Sequence, residues 1–310
     1  MKDQVLAGLF GLCVGDALGV PVEFNPRTYL KENPIRDMIG YGTYDQPAGT
    51  WSDDSSLTFC LAESLCNGYD IYDIGHKCVQ WYHKGYWTPY GEVFDIGNTT
   101  RMALDTLCYE LIRPDLAGMT GAHSNGNGSL MRILPLAYFL KNTAFEEKVP
   151  IITAVSSITH RHIRSIIACV IYVEFACYLL NGFDLDESYT KMQTSVKDYY
   201  KDEQELEHFK AILDKSVTNY AEEDIHSSGY VVHTLEASLW CLFNSETYAE
   251  AVLKAVNLGE DTDTTGAVTG GLAGIIYGIH SIPETWINVL ASNNEIYDLA
   301  ERLAEKCQST

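Results

Sequence analysis

Apolar residues recur along this chain at separations of three and four, the spacing that turns one face of a helix inward. Leu57, Cys60, Leu61, Ser64 and Leu65 stand at i, i+3, i+4, i+7 and i+8, which predicts a helix beginning just after Ser52, with the Ser52 hydroxyl as its N-cap. The same reading predicts helices near residues 3 to 18, 72 to 84, 98 to 112, 129 to 140, 148 to 157, 162 to 180, 187 to 216, 230 to 243, 247 to 257, 263 to 278 and 284 to 306. No run of strand-type alternation competes with them. The expected fold class is therefore all-α. With no Pro/Ser/Gly-rich linker, low-complexity tract or internal repeat, residues 1–310 form one expected domain.

Two of the predicted helices carry glycine at every fourth position: Gly11, Gly15 and Gly19 in the first, and Gly266, Gly270 and Gly274 in a late one. Each costs about 1 kcal/mol relative to alanine inside a helix. A smooth face on which two backbones approach closely would offset that cost, so both helices are expected to be central and buried. Association of membrane helices through small residues is the alternative, but neither run has the length of a spanning segment. The segments 19–26, 40–52, 95–98 and 123–128 are rich in Gly, Asn, Pro and Asp, and binding groups often sit on such loops. In residues 123–129 the Asn and Gly positions tolerate left-handed conformations and could turn several backbone N–H groups toward an anion.

With 42 acidic residues against 21 basic, the formal charge is −21. That balance repels phosphate backbones and anionic lipid, so neither nucleic acid nor a membrane is an expected partner. Most of the acidity serves solubility, including residues 201–207, expected on an exposed helix. Nine cysteines, an odd number with no Cys-x-x-Cys pair, fit reduced thiols in a cytoplasm. The apolar opening at residues 5–14 is flanked by Asp3 and Asp16 without a small-residue cleavage site. It is too short to span a bilayer, and nothing else in the chain comes closer.

Two acidic pairs stand at opposite ends of the chain: Asp53 with Asp54, and Asp261 with Asp263. Each sits at the expected first turn of an apolar helix. One such pair has a structural explanation, since carboxylates there complement the macrodipole and cap free N–H groups. A second pair, opening a central glycine-rich helix, is different. Four carboxylates brought together repel one another unless neutralised, and hard divalent cations with oxygen ligands are the natural partner. Ser52 and Thr264 add neutral oxygens and neither cluster contains histidine or thiolate, which favours magnesium or manganese over zinc. The ligand count suits two ions.

The motifs Gly11-Leu-Cys-Val-Gly-Asp-Ala-Leu-Gly-Val-Pro-Val-Glu-Phe24, Gly49-Thr-Trp-Ser-Asp-Asp-Ser-Ser-Leu57, Phe94-Asp-Ile-Gly-Asn-Thr-Thr-Arg101 and Ser124-Asn-Gly-Asn-Gly-Ser-Leu-Met-Arg132 come in that order. They are followed by Ile158-Thr-His-Arg-His162, Ser228-Gly-Tyr-Val-Val232 and Asn257-Leu-Gly-Glu-Asp-Thr-Asp-Thr-Thr-Gly266. Together they resemble the ADP-ribosylglycohydrolase family over nearly the whole chain, most of all its bacterial dinitrogenase-reductase-activating and ADP-ribosylarginine hydrolase branch. The resemblance implies a single-domain orthogonal multi-helix bundle with a central binuclear magnesium or manganese site.

Carried over position by position, it places Ser52, Asp53, Asp54, Asp261, Asp263 and Thr264 on the metal ligands. Ser52 departs from the threonine more usual there but keeps the hydroxyl. Glu23 falls beside the metals, where a glutamate handles a water or a proton, and Asp95 on a substrate-facing acid of the arginine-directed branch; which of the two is the base stays open. Asn98, Thr99, Asn127, Gly128, Ser129 and Met131 fall on the surface for diphosphate and ribose, with capping the alternative for Asn98 and Thr99. His160 is an expected substrate contact, its neighbour His162 a hydrogen-bonded or capping group. Tyr230 is expected to stack on adenine or ribose.

The implied reaction is metal-dependent hydrolysis of the N-glycosidic bond linking ADP-ribose to a protein side chain, with the context of Asp95 favouring arginine. The substrate would be a mono-ADP-ribosylated protein or an ADP-ribose-containing small molecule. Serine-linked and O-acetyl-ADP-ribose are alternative substrates. A further alternative is an immunity or binding protein that blocks an ADP-ribosylating toxin, with an ADP-ribosyltransferase as partner. A helical two-metal phosphohydrolase also needs clustered acids but usually shows a His-Asp dipeptide, which this chain lacks.

Overall fold

Gly11, Gly15 and Gly19 of helix α1 (Lys2–Gly19) face Gly270, Gly266 and Asp263 of helix α13 (Thr262–Tyr277), and this antiparallel pair is the axis of the molecule. A Cβ at Gly11 would lie 2.4 Å from the Gly270 carbonyl oxygen, and one at Gly15 2.1 Å from that of Gly266. No side chain fits between the two backbones. Their contact, Cα–H groups against carbonyl oxygens included, offsets the conformational cost of the glycines. Residues 5–19 and 262–274 are buried, as the glycine spacing predicts.

The structure is a computed structural model and describes residues 1–308. Around the central pair stand α2 (Arg27–Glu32), α3 (Asp53–Leu65), α4 (Ile71–Lys84), α5 (Asn98–Tyr109), α6 (Pro135–Leu140), α7 (Phe145–Ser157) and α8 (Ile163–Leu180). They are followed by α9 (Leu185–Tyr199), α10 (Lys210–Leu213), α11 (Val231–Phe243), α12 (Tyr248–Val256), α14 (Glu284–Val289) and α15 (Asn293–Gln308). Helices α11 and α12 cover α13, while α15 and α3 pack along α1. Among the described residues there is no strand, only isolated bridges such as Gly126 with Tyr230 and Met119 with His160.

Several expected helices are shorter than the apolar pattern suggests. Residues 129–134 form turns, and helix begins only at Pro135, whose fixed φ suits a first helical position. The pattern over 187–216 breaks after Tyr199; the acidic run at 201–207 is not an exposed helix but enters a 3-10 turn, Gln204–Phe209, that buries Phe209. The stretch 284–306 divides because Ala291 N–H donates to the Gly49 carbonyl and Ser292 turns left-handed. Helix α2 follows Pro26 without any apolar periodicity to announce it.

The expectation that no segment is long and apolar enough to cross a bilayer is corrected: Lys2–Val22 and Ile163–Leu180 both are. The first is wholly and the second mostly buried inside the helical core.

Candidate active site

At its C-terminal end α1 touches α13 directly: a Cβ at Gly19 would lie 2.4 Å from the Asp263 Cα. The chain leaving α1 therefore passes over the first turn of α13, and a 3-10 turn, Val20–Val22, delivers Glu23 beside it. The Phe24 N–H donates to the Glu260 carbonyl at 2.7 Å, and the Glu260 N–H to that of Asn25 at 2.8 Å. Phe24, Asp95 and Glu260 have φ of 64°, 58° and 60°. Each such conformation costs on the order of 1–2 kcal/mol in a residue with a Cβ. Three around one cleft show a backbone over-determined by its surroundings.

Helix α3 arrives from the other side. Ser52 caps it, its Oγ accepting from the Asp54 N–H at 3.2 Å. Asp16, on α1 and fully buried, accepts from the Ser52 and Ser55 N–H groups at 3.0 Å and from the Ser55 hydroxyl at 2.6 Å. Burial pushes Asp16 up to about 6 against those donors. This residue ties the start of α3 to the central helix, and it was not singled out from the sequence. Its signal there was an acid within an otherwise apolar, glycine-spaced helix.

The two ends of the chain meet at the carboxylates. Asp54 Oδ2 accepts from Ser52 Oγ at 3.2 Å and from Thr264 Oγ1 at 3.3 Å, across 210 positions of sequence. Carboxylate oxygens of Glu23, Asp95 and Asp263 lie within 4.8 Å of one another. The Tyr44 hydroxyl bridges Glu23 Oε2 and Asp95 Oδ1. Asp261 Oδ2 accepts from the Asn127 side-chain amide at 2.9 Å. Burial is the main reason that all these acids are held above the ordinary carboxylate range, with neighbouring acids adding repulsion for Glu23, Asp53, Asp54, Asp261 and Asp263.

The donor set fits hard cations. Among the described residues, Asp54 Oδ1, Asp261 Oδ1 and Asp263 Oδ2 are buried without a hydrogen-bond donor and no lysine or arginine lines the cleft. Buried anions of this kind are stable only if protonated or matched by positive charge. The acidic side chains could bind metal through the carboxylate and hydroxyl oxygens that such ions prefer.

Above the acids opens a cleft of about 430 Å³. Glu23, Asp53, Asp95, Asp261 and Thr264 form one wall; Asn98, Thr99, Asn127, Gly128, Met131 and His160 form the rest, with Phe24, Thr100, His123 and Gly126. Three of the four loops noted for their Gly, Asn, Pro and Asp content line this cleft, and the fourth, 40–52, supplies Tyr44 and Ser52 to the acids beneath it. Ser52, Asp54 and Asp263 are packed behind the surface. Asn98 and Thr99 do not cap α5 with their side chains; the N-cap is Gly97, and residues 97–100, the start of α5, line the cleft.

Three expectations need correction. The Ser129 hydroxyl is fully buried against Ser156 and Cys169 and does not reach the cleft. Tyr230 is half-buried beside Gly126, its ring against His233 and its hydroxyl 3.4 Å from Arg164, and it does not line this cleft. Nor does any residue of 123–129 take up a left-handed conformation; Asn127 N–H and the Asn125 carbonyl instead pair with Gly229 and Val231. His162 caps α8, its Nδ1 accepting from the Arg164 N–H. Tyr44 and Phe24 were not anticipated, although both lie in the loops marked as candidate binding segments.

Helix starts from both ends of the chain, converging on buried carboxylates beneath a cleft, define a helical protein with an acidic centre whose oxygens could hold cations. The family model described as ADP-ribosylglycohydrolase matches residues 1–310, and the chain belongs to that family. It is 34% identical over 308 residues to the protein named ADP-ribosylarginine hydrolase Tri1 of Serratia proteamaculans, covering 97% of this chain and 79% of that one. It is 28% identical over 300 residues to the ADP-ribosyl-[dinitrogen reductase] glycohydrolase of Rhodospirillum rubrum, covering 94% and 91%. A solved structure titled as an ADP-ribosylglycohydrolase-related protein complex superposes with a TM-score of 0.83 at 29% identity, over 99% of this chain and 98% of that one.

Proposed function

We propose that this protein hydrolyses the bond between ADP-ribose and a protein side chain, with arginine as the linked residue. The observation that carries this reading is the adjacency, in one cleft, of a buried carboxylate cluster and the uncapped first turn of α5 at Asn98–Thr100. The carboxylates suit a cation, and free N–H groups at a helix start suit an anion. ADP-ribose offers a ribose diol for the first and a diphosphate for the second.

Ser52, Asp53, Asp54, Asp261, Asp263 and Thr264 would hold two divalent cations, magnesium or manganese, which when bound supply Lewis acidity and positive charge against the ribose hydroxyls and the attacking water. The reaction builds oxocarbenium-like charge on the ribose carbon, and the surrounding carboxylates favour that charge. The Glu23–Asp95 pair moves the proton: one carboxylate accepts it from the water, while the other faces the guanidinium leaving group. Tyr44 fixes the orientation of both. Asn98, Thr99, Asn127, Gly128, Met131 and His160 would bind and orient the diphosphate and adjoining ribose. Arginine is favoured because Asp95, beside Glu23, gives the leaving group an anionic face. The nine free cysteines suit a reducing cytoplasm.

The test is to incubate the protein, with magnesium or manganese and after stripping by chelator, with arginine-, serine- and acetyl-linked ADP-ribose. Release of free ADP-ribose from the arginine linkage only with cation is expected. Release at an unchanged rate by stripped protein would overturn the reading.

A further inference from the structure

Behind the cleft wall a buried hydrogen-bond relay ends on His160. Arg132 is fully buried and pairs with no carboxylate among the described residues. Its Nη2 donates to the Val155 carbonyl at 3.2 Å and to the Thr159 hydroxyl at 2.8 Å, while Nε and Nη1 have no acceptor among the described residues. An unpaired guanidinium at such a depth is costly and needs a role that offsets its cost. Thr159 Oγ1 in turn lies 2.9 Å from His160 Nδ1.

The direction of these bonds follows from what each group can do. A guanidinium only donates, so the Thr159 oxygen accepts from Arg132. The threonine hydrogen then needs an acceptor, and among the described residues the one within reach is His160 Nδ1. Were Nδ1 protonated, the threonine oxygen would face two donors and its own hydrogen would be buried with no acceptor. The imidazole proton therefore sits on Nε2.

The rest of the site holds the ring in place. Met119 N–H donates to the Thr159 carbonyl at 3.3 Å, and Arg161 N–H to that of Met119 at 3.0 Å. Ser156 Oγ donates to the His160 carbonyl at 3.0 Å. A Cβ at Gly128 would meet His160 Cε1 at 2.7 Å, so the loop backbone lies directly on the ring. His160 lines the cleft, and its Nε2 has no hydrogen-bond partner among the described residues. Burial, reinforced by the Arg132 charge, pushes the imidazole down to about 3 and keeps it neutral.

We propose that Arg132 and Thr159 are positioning residues that hold His160 as a neutral imidazole with its proton on Nε2, so that the cleft presents a fixed N–H donor to a phosphate or hydroxyl oxygen of ADP-ribose. The ligand in this statement rests on the glycohydrolase reading; the tautomer does not. The opposite tautomer would aim a lone pair at the same oxygen and repel it. In a cleft lined by carboxylates and without lysine or arginine, a donor locked in the right direction gives the anionic part of the substrate a contact that free rotation of a proton would not.

The experiment is long-range proton–nitrogen correlation on protein labelled with nitrogen-15 in histidine, with His160→Gln to assign the signal. Wild type is expected to show the Nε2–H pattern, unchanged between about pH 6 and 8, where an ordinary histidine titrates. Thr159→Val keeps the side-chain shape, removes the hydroxyl, and should give a mixture of tautomers with about tenfold weaker binding of ADP-ribose. Thr159→Ser should restore both. An Nδ1–H pattern in wild type, or a Thr159→Val variant with unchanged tautomer or unchanged affinity, would overturn the proposal. If wild type failed to bind ADP-ribose at all, the glycohydrolase reading would fall and the donor role with it, while the measured tautomer would still decide the relay.

Discussion

Gly19 and Asp263 are in backbone contact: a Cβ at residue 19 would lie 2.4 Å from both the Cα and the N of Asp263. The position of an acid in the active centre is thereby set by the absence of a side chain one helix away. Gly19→Ala has to push the first turn of α13 off α1. Overpacking of this kind costs about 1–3 kcal/mol, and a displacement of about 1 Å at a reacting group can cost roughly a hundredfold in rate. Thermal unfolding and turnover measured together are expected to show an activity loss larger than the fraction unfolded explains. A variant as stable and as active as wild type would show that α1 does not set Asp263.

Metal removal should change how stability depends on pH. Burial holds Asp53, Asp54, Asp261 and Asp263 above the ordinary aspartate value of 3.8. A carboxyl whose pKa is higher folded than unfolded contributes stability below the unfolded value, and that contribution is lost as pH rises through the folded one. Chelator-stripped protein is therefore expected to melt at progressively lower temperature as pH rises from about 4 toward 8. Magnesium or manganese should raise the melting temperature by an increment that grows over the same range. A flat profile for stripped protein would mean that the acids are matched by some other means.

Asp263→Asn removes one of the crowded charges. In stripped protein at neutral pH the variant is expected to be at least as stable as wild type, because a repelling buried anion is gone. The cation-induced rise in melting temperature should shrink, and turnover should fall by roughly two or more orders of magnitude, as expected when electrostatic stabilisation of the transition state is lost. Calorimetric unfolding with and without cation separates these effects. A variant that keeps the full cation response would remove Asp263 from the ligands.

Some of this architecture was legible in the sequence because its causes are local. Glycine at every fourth position of α1 and α13 could be read as a close backbone contact, and the Ser52 cap as the start of α3. Other features depend on contacts with distant residues. The break at Ala291 needs the Gly49 carbonyl, 242 positions away by subtraction of the two numbers. Ser129 reads as a loop hydroxyl until the packing of Ser156 and Cys169 takes it into the core. Tyr44 sits in a loop with no periodicity, and its role exists only because Asp95, in a left-handed conformation, closes on Glu23.

That bridge gives the last prediction. The Tyr44 hydroxyl has one hydrogen and two carboxyl partners, Glu23 and Asp95, and its presence lowers the pKa of each against the burial that raises them. Tyr44→Phe keeps the ring, which packs on Phe94 at a centroid distance of 5.0 Å. It withdraws the donor, so both carboxyls rise further and a smaller fraction of either is ionised near neutral pH. A reaction that uses one of them as a base then loses rate on the acid side, and the acidic limb of kcat/KM moves to higher pH. A hydrogen bond to a charged group contributes about 1.5–3 kcal/mol, so the loss near pH 7 should be roughly tenfold to a hundredfold, with partial recovery in alkaline buffer. Comparing pH profiles of wild type and Tyr44→Phe at saturating cation tests this. An unshifted limb would mean that neither carboxyl bridged by Tyr44 is the proton acceptor.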